Sequence, residues 1–429
     1  MRSRPPVVDQ DPPYPPPPGK TPGGATGGIA VLRRYVSRPK TGGGAFDKTG
    51  QVTLVPVLVS LVVMAVWFQV QSPYFLSARN LSNLVVQVAT IGVIALAEFS
   101  VLLIGEIDLS LGSVMGAMAA VLATLLVAGH APLWAAVLIM FLCAIAIGAL
   151  QGWLIAWVRL SSFIVTLAGL LGWLGLQLYI LGSNGSISVL QPQIEALTTT
   201  SVGGSPAWLL AALAALWCMW RAWRMVTESG REAGTGWRHV IAALQRRRGA
   251  LVWLASAVAI LVAVAVLTSY RGIPVPGLVL VGLVLILEWF TTATPAGLTL
   301  FAVGGNAEAA RRAGINIRRV RLLVFVLAAA LAAAAALLDV SYEQAAGTLT
   351  GGGTLLLEGI GAAVIGGTSL FGGIGSARSA LLGAFVLGGI ANGLDLTNQS
   401  APVKYMVEGV VVVLAVLGDR LLHRTRSGG

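Results

Sequence analysis

The chain has 429 residues, of which 56% are hydrophobic and only 10% charged, a balance too apolar for any soluble domain or pair of domains. A net charge of +11 would suggest nucleic acid in a soluble protein, but here the basic residues gather at the ends of apolar stretches, where they orient a membrane chain. Cys143 and Cys218 lie inside apolar runs and the three histidines are scattered, so neither a disulfide framework nor a metal site is expected.

Residues 1–50 hold 10 of the 19 prolines, including PPYPPPP at 12–18, and read as a disordered tail. Gly19-Lys20-Thr21 looks like the end of a nucleotide-binding loop, but that loop needs glycine five positions earlier, where Tyr14 stands. No cofactor is expected. The tail lacks an early apolar core, so the first apolar stretch is read as a retained helix rather than a signal peptide.

Apolar stretches suited to a hydrocarbon core of about 30 Å run at 52–70, 84–104, 111–128, 132–158, 163–182, 206–223, 250–268, 274–294, 321–340, 355–367, 379–394 and 405–421. The shorter ones, near 111, 355 and 379, are candidates for half-helices that enter and turn back. The expected fold is all-α, a polytopic transmembrane bundle of about 10–12 membrane segments. It occupies residues 51–422, with tails at 1–50 and 423–429.

Charge sets the orientation. Of the 28 Lys and Arg, eight lie in 1–50, seven in 221–248, five in 311–321 and three in 420–426. Counting spans puts all four zones on one side, which the positive-inside rule makes cytoplasmic. Both termini are therefore expected inside the cell.

A carboxylate at the bilayer centre costs about 2.5–3.5 kcal/mol on insertion scales, so each one near a span needs a reason. Asp339, Glu343 and Asp395 fit positions at span ends. Glu98, Glu106, Asp108 and Glu358 fit less well. Glu106 and Asp108 belong to GEIDLSLGS at 105–113, where Asp108 and Ser110 are suited to cap a helix starting near Leu111 and the glycines permit a break. Transport proteins use such broken helices to meet polar solutes. GGTSLFGGIGS at 366–376 has similar wording, with Thr368 and Ser369 among glycines. Gly148-Ala-Leu-Gln151-Gly152 also resembles Gly389-Ile-Ala-Asn392-Gly393, which hints at two related halves. Trp67, Trp134, Trp153, Trp157, Trp208 and Trp289 sit near span ends and read as interfacial anchors.

Residues 304–321, GGNAEAARRAGINIRRVR, form a basic, helix-competent island between apolar stretches. Asn306 can cap a helix, Glu308 lies in its first turn, Arg311 and Arg312 in its last, and Gly314 can close it. Ala307, Ala310 and Gly314 would leave one face bare enough for another protein's groove. The plainer reading is a topology-setting loop.

These segments together resemble the permease subunits of bacterial monosaccharide ABC importers, most closely the xylose type within the ribose/xylose/galactose group. The resembling stretches are LSARNLSNLVVQ at 76–87, EIDLSLGS at 106–113, SSFIVTLAGLL at 161–171, YRGIPVPGLVL at 270–280, VGGNAEAARRAGIN at 303–316 and VIGGTSLFGGIGS at 364–376. The resemblance implies a homodimeric or paired pore in the bacterial inner membrane that moves a pentose or hexose inward. It further implies an extracytoplasmic sugar-binding protein outside and an ABC ATPase inside. In that picture Gly305, Asn306, Glu308, Ala309, Ala310, Arg311, Arg312 and Gly314 form the coupling segment. Glu106, Asp108, Ser110, Thr368, Ser369 and Asn392 are candidate pathway residues. Three departures from the family pattern stand out: TTATPAGLTLFAVGGN at 291–306 lacks the usual aromatic-Gly-Arg element, Leu356-Leu357-Glu358 replaces Glu-Leu-Asp, and Glu98 stands at a customarily apolar position. The competing reading is a stand-alone secondary transporter or channel coupled to protons through Glu98, Glu106 and Glu358. A membrane-embedded enzyme would need a catalytic carboxylate cluster with metal- or phosphate-binding neighbours, which the sequence does not offer.

Overall fold

The computed structural model describes residues 45–227 and 237–427. The expected N-terminal tail, apart from its last few residues, and the middle of the 221–249 basic loop lie outside them. The described chain is helical almost throughout, as a bilayer requires of a backbone with no water to bond. In chain order the helices are α1 Ala45–Gln71, α2 Ala78–Leu103, α3 Leu111–Val127, α4 Leu133–Trp153, α5 Ser162–Leu181, α6 Pro192–Thr199, α7 Gly204–Thr227, α8 Trp237–Thr268, α9 Val275–Ala293, α10 Pro295–Gly305, α11 Ala307–Arg312, α12 Ile317–Glu343, α13 Gly353–Ile365, α14 Ala377–Leu396 and α15 Ala401–Ser427. α4 runs on through a π-helical turn, Leu154–Val158, which Arg159 closes in the left-handed region.

Every expected apolar stretch is a helix. Eight helices among the described residues are long and apolar enough to cross a membrane. The segment near 379 is not a half-helix: α14 has 20 residues and counts among the eight. The other two short segments remain short, α3 with 17 residues and α13 with 13, or about 25 and 20 Å at 1.5 Å per residue. Within 291–306 the chain adds the unanticipated helix α10, capped by Thr294, whose side chain accepts the Gly297 amide at 3.0 Å.

α2 is the axis of the bundle. Every residue from Val88 to Leu103 is buried, so this helix is apolar around its whole circumference and sheathed by other helices. Its neighbours are α9, α12, α13 and α14. Small residues allow that crowding. The alanine-rich α12 buries Ala328, Ala329, Ala332, Ala333, Ala335 and Ala336. α4 lies so near α12 that a Cβ at Gly152 would stand 2.9 Å from the Leu322 Cα.

α7 and α8 pack mainly on each other, through Ala207, Ala211, Ala215 and Cys218 of α7 against Ala257 and Val264 of α8. At the end of the bundle away from residues 304–321, two short antiparallel pairs clip loops together. They join β1 Ser186–Ser188 to β4 Ala345–Gly347 and β2 Ser201–Val202 to β3 Ile273–Pro274, a detail the helical pattern of the sequence did not signal.

Candidate functional site

α2 ends at Leu103, and the chain doubles back on itself. Gly105 sits at φ +75, its amide bonds Leu102 O at 2.9 Å, and the Glu106 amide bonds Val101 O at 3.3 Å. Positive φ is the conformation glycine supplies without strain. The returning segment carries Asp108 to Ser110, both fully enclosed. Asp108 does not cap α3. Its Oδ1 instead accepts the Ser110 amide at 2.8 Å and the Ser110 hydroxyl at 2.6 Å, because Ser110, at the N-cap position of α3, has helical φ and ψ and makes no cap bond of its own. The Ser110 Oγ also accepts from Gln151 Nε2 of α4 at 2.8 Å.

Gly169 of α5 lies against this polar chain. A Cβ there would stand 3.1 Å from the Ser110 Cβ and 3.1 Å from the indole Nε1 of Trp173. Gly169 comes seven residues after Ser162, the first residue of α5, so the Asp108–Ser110–Gln151 group lies about 10 Å inside the bundle from that end. Several polar atoms here are buried with no partner among the described residues: Asp108 Oδ2, Trp173 Nε1 and both carboxylate oxygens of Glu98. Buried polar atoms left unbonded are uncommon in folded proteins. Gln151 and Trp173 were not among the sequence candidates. The Gly148/Gly152 frame had drawn attention to Gln151, but nothing local signalled Trp173.

The second break, 366–376, packs beside the first. Thr368 is buried with its Oγ1 unpartnered among the described residues, whereas the Ser369 Oγ accepts the Phe371 amide at 3.2 Å and serves the turn itself. A Cβ on Gly375 would meet Thr368 and Phe99 of α2 at 3.0–3.1 Å. Asn392 is elsewhere. Its Oδ1 accepts from Asn80 Nδ2 at 2.8 Å, and its Nδ2 donates to Gln87 Oε1 at 3.0 Å. That network sits near the start of α2, and Glu98 follows Asn80 by eighteen residues, about 27 Å of helix.

The basic island meets both breaks. Gly373 N donates to Leu103 O at 2.9 Å. A Cβ on Gly372 would stand 2.8 Å from both Gly105 N and Gly304 O, and one on Gly373 would stand 2.8 Å from the Gly305 Cα. Three glycine-bearing segments thus touch backbone to backbone, at separations real Cβ atoms do not tolerate.

Beyond this junction comes α11, formed as its residues dictate. Asn306 Oδ1 accepts the Ala309 amide at 2.9 Å. At the other end Ile315 N bonds Ala310 O and Gly314 N bonds Arg311 O, with Gly314 at φ +86, the paired closure of a Schellman motif. Glu308 accepts from Arg311 at 2.9 Å and Arg312 at 3.3 Å. The hydrogen-bonded Arg311 guanidinium holds its carboxyl below the usual range. The small residues of this helix divide: Ala310 is buried and Ala307 half-buried against the protein's own bundle, whereas Gly314 is exposed. Glu308, Ala309, Arg311, Arg312 and Gly314 make up the exposed face. Ile315, buried just past the helix, holds it that way round.

Two ion pairs brace this end. Arg321 of α12 contacts Glu106 at 2.6 Å, and Arg378 of α14 contacts Glu288 of α9 at 2.6 Å. Glu288 also accepts the Ala377 amide at 3.1 Å, at the start of α14.

A multi-pass helical bundle with a buried polar break near one end and a short charged helix fixed to that break defines a membrane transport permease. The chain belongs to the family described as branched-chain amino acid transport system / permease component, which matches residues 80–416. Among its relatives is the xylose transport system permease protein XylH of Escherichia coli (strain K12), 33% identical over 388 residues, covering 90% of this chain and 96% of the relative. The protein of that name from Haemophilus influenzae is 31% identical over 370 residues, 85% and 95% of the two chains. The ribose import permease protein RbsC of Bacillus subtilis is 29% identical over 362 residues, 84% and 91%. No solved structure matches the chain.

Proposed function

We propose that the protein is the membrane-spanning subunit of an ATP-driven importer that carries a monosaccharide, xylose or a related pentose or hexose, into a bacterial cell through the inner membrane. The island end of the bundle is the cytoplasmic end, and both termini lie there. An ABC ATPase docks on the exposed face of α11, an extracytoplasmic binding protein delivers the sugar to the other side, and two copies of the chain enclose the path. The observation that carries this reading is the glycine junction: the segment fitted to receive a soluble partner is built into the same knot as the two polar breaks.

Asp108, Ser110, Gln151 and Trp173 suit a sugar. A carboxylate accepts from hydroxyls, an amide both donates and accepts, and an indole offers an N–H beside an apolar ring. Thr368 adds a hydroxyl at the second break. The names of the relatives favour sugar over the amino acids of the family's description.

The test is reconstitution in liposomes with the neighbouring ATPase and binding protein, following labelled xylose and ribose. Uptake that requires ATP and all three components is expected. Accumulation driven by a proton gradient through the purified chain alone would overturn the reading in favour of a secondary transporter.

A further inference from the structure

Resting on that reading, we propose that the Glu106–Arg321 ion pair is a strut through which movement of α11 drives the turn bearing Asp108 and Ser110. The island is fastened at both ends to this one short turn. At its start, Gly304 and Gly305 abut Gly372 and Gly373, and Gly373 N is bonded to Leu103 O. At its finish, Arg321 holds Glu106 at 2.6 Å. Leu103 and Glu106 are three residues apart, and Asp108 follows two residues later.

A push on α11 therefore reaches residues 103–106 from two points. Backbone contact at the glycines resists compression but cannot pull. The ion pair can do both, because the Coulomb attraction of opposite charges 2.6 Å apart in a partly buried site resists separation. Its surroundings suit a transmitting contact better than a surface decoration: the side chains are only 35% and 12% exposed, and Arg321 Nε is buried without another partner among the described residues. From Glu106 the path is short and stiff, since the turn is tied back by the Glu106 amide on Val101 O and forward by Asp108 on Ser110. Among the described residues, the other ion pairs between helices do not lie on this route. Glu288–Arg378 joins α9 to the start of α14, and Asp395–Lys404 lies at the far end of the bundle.

The assembled importer in proteoliposomes tests the strut through ATP hydrolysed per sugar transported. Glu106→Gln and Arg321→Gln should each raise that ratio by roughly tenfold, while the ATPase still co-purifies and still hydrolyses ATP. The exchanged pair, Glu106→Arg with Arg321→Glu, should recover most of the loss. Lys404→Gln should leave the ratio unchanged. Uptake and hydrolysis falling in proportion, or an exchanged pair no better than the worse single variant, would overturn the proposal.

A second measurement needs no transport. Amide hydrogen exchange on the purified chain in nanodiscs should quicken at residues 106–110 in Arg321→Gln and stay as in the wild type at 307–314. Unchanged exchange at 106–110 would also overturn the strut. If wild-type liposomes show no ATP-dependent uptake, the importer reading itself fails, and the exchange result still decides whether the two segments are mechanically joined.

Discussion

Asn80 and Asn392 are 312 positions apart in the chain and joined by a 2.8 Å side-chain hydrogen bond inside the bundle. Asn80 also donates to Phe75 O at 2.9 Å, and Asn392 donates to Gln87, so the amide groups bond one another and tie α14 to α2 at the end away from the island. The sequence had placed Asn392 with the pathway because it sits between glycines. Its hydrogen bonds to Asn80 and Gln87 suit an architectural task.

Asn392→Leu should therefore lower thermal stability in detergent, leaving the Asn80 and Gln87 amides short of a partner at a cost of about 1–2 kcal/mol. Uptake per folded molecule should stay near the wild-type level. A variant as stable as the wild type but defective in transport would return Asn392 to the pathway.

Local features of the chain were legible. The α11 caps follow from Asn306 and Gly314 alone, and apolar length located each membrane helix. Thr294-Pro295 offered the start signal for α10 as well, a capping residue followed by proline at the first helical position, but an eleven-residue apolar stretch is too short to read as a span. The facing of α11 was only partly legible because small residues suit close approach by any surface, and for Ala310 the nearest surface is the protein's own. The glycine junction and the group around Asp108 were hidden for another reason. Gly105, Gly304 and Gly372 are some 200 and 70 positions apart along the sequence, and Trp173 and Ser110 come to flank Gly169 only through the register of α5 against α3 and α4. Apolar periodicity says which face of a helix is greasy, not which residue of a neighbour it meets.

Gly169 gives that register a direct test. Its Cβ position is already crowded by Gln151, Ser110 and Trp173, so Gly169→Leu must displace the polar group. An overpacked side chain costs about 1–3 kcal/mol, and uptake should fall by roughly tenfold or more. Gly172, with open space at its Cβ, is the control, and Gly172→Ala should transport normally. Equal activity of Gly169→Leu and Gly172→Ala would separate this group from the path.

Asp108 combines two tasks that substitution can divide. Asn at this position keeps an oxygen to accept the Ser110 amide and hydroxyl, so Asp108→Asn should assemble and melt much like the wild type. It removes the charge from the oxygen left free at Oδ2. A hydrogen bond to a charged group is worth about 1.5–3 kcal/mol, so sugar uptake should drop between roughly tenfold and a hundredfold. Asp108→Ala should lose stability as well. Full transport by Asp108→Asn would confine the residue to shaping its turn.

Glu308 should make helix α11 acid-sensitive. The Arg311 hydrogen bond, assisted by Arg312, holds its carboxyl below the ordinary value of 4.5. A carboxyl held low in the folded state adds stability above its unfolded value and loses it as the pH falls through its folded one. Corrected for intrinsic rates, hydrogen-exchange protection at 307–314 should thus be level from pH 7 to 5 and decline below about pH 4. Glu308→Gln removes the titrating group and both ion pairs, so its protection should be lower at neutral pH and flat across the range. Because the group is exposed and i,i+4 pairs of this kind are screened by salt, added salt should narrow the gap between the two proteins at pH 7. Identical pH profiles for wild type and Glu308→Gln would show that the caps alone hold α11 in place.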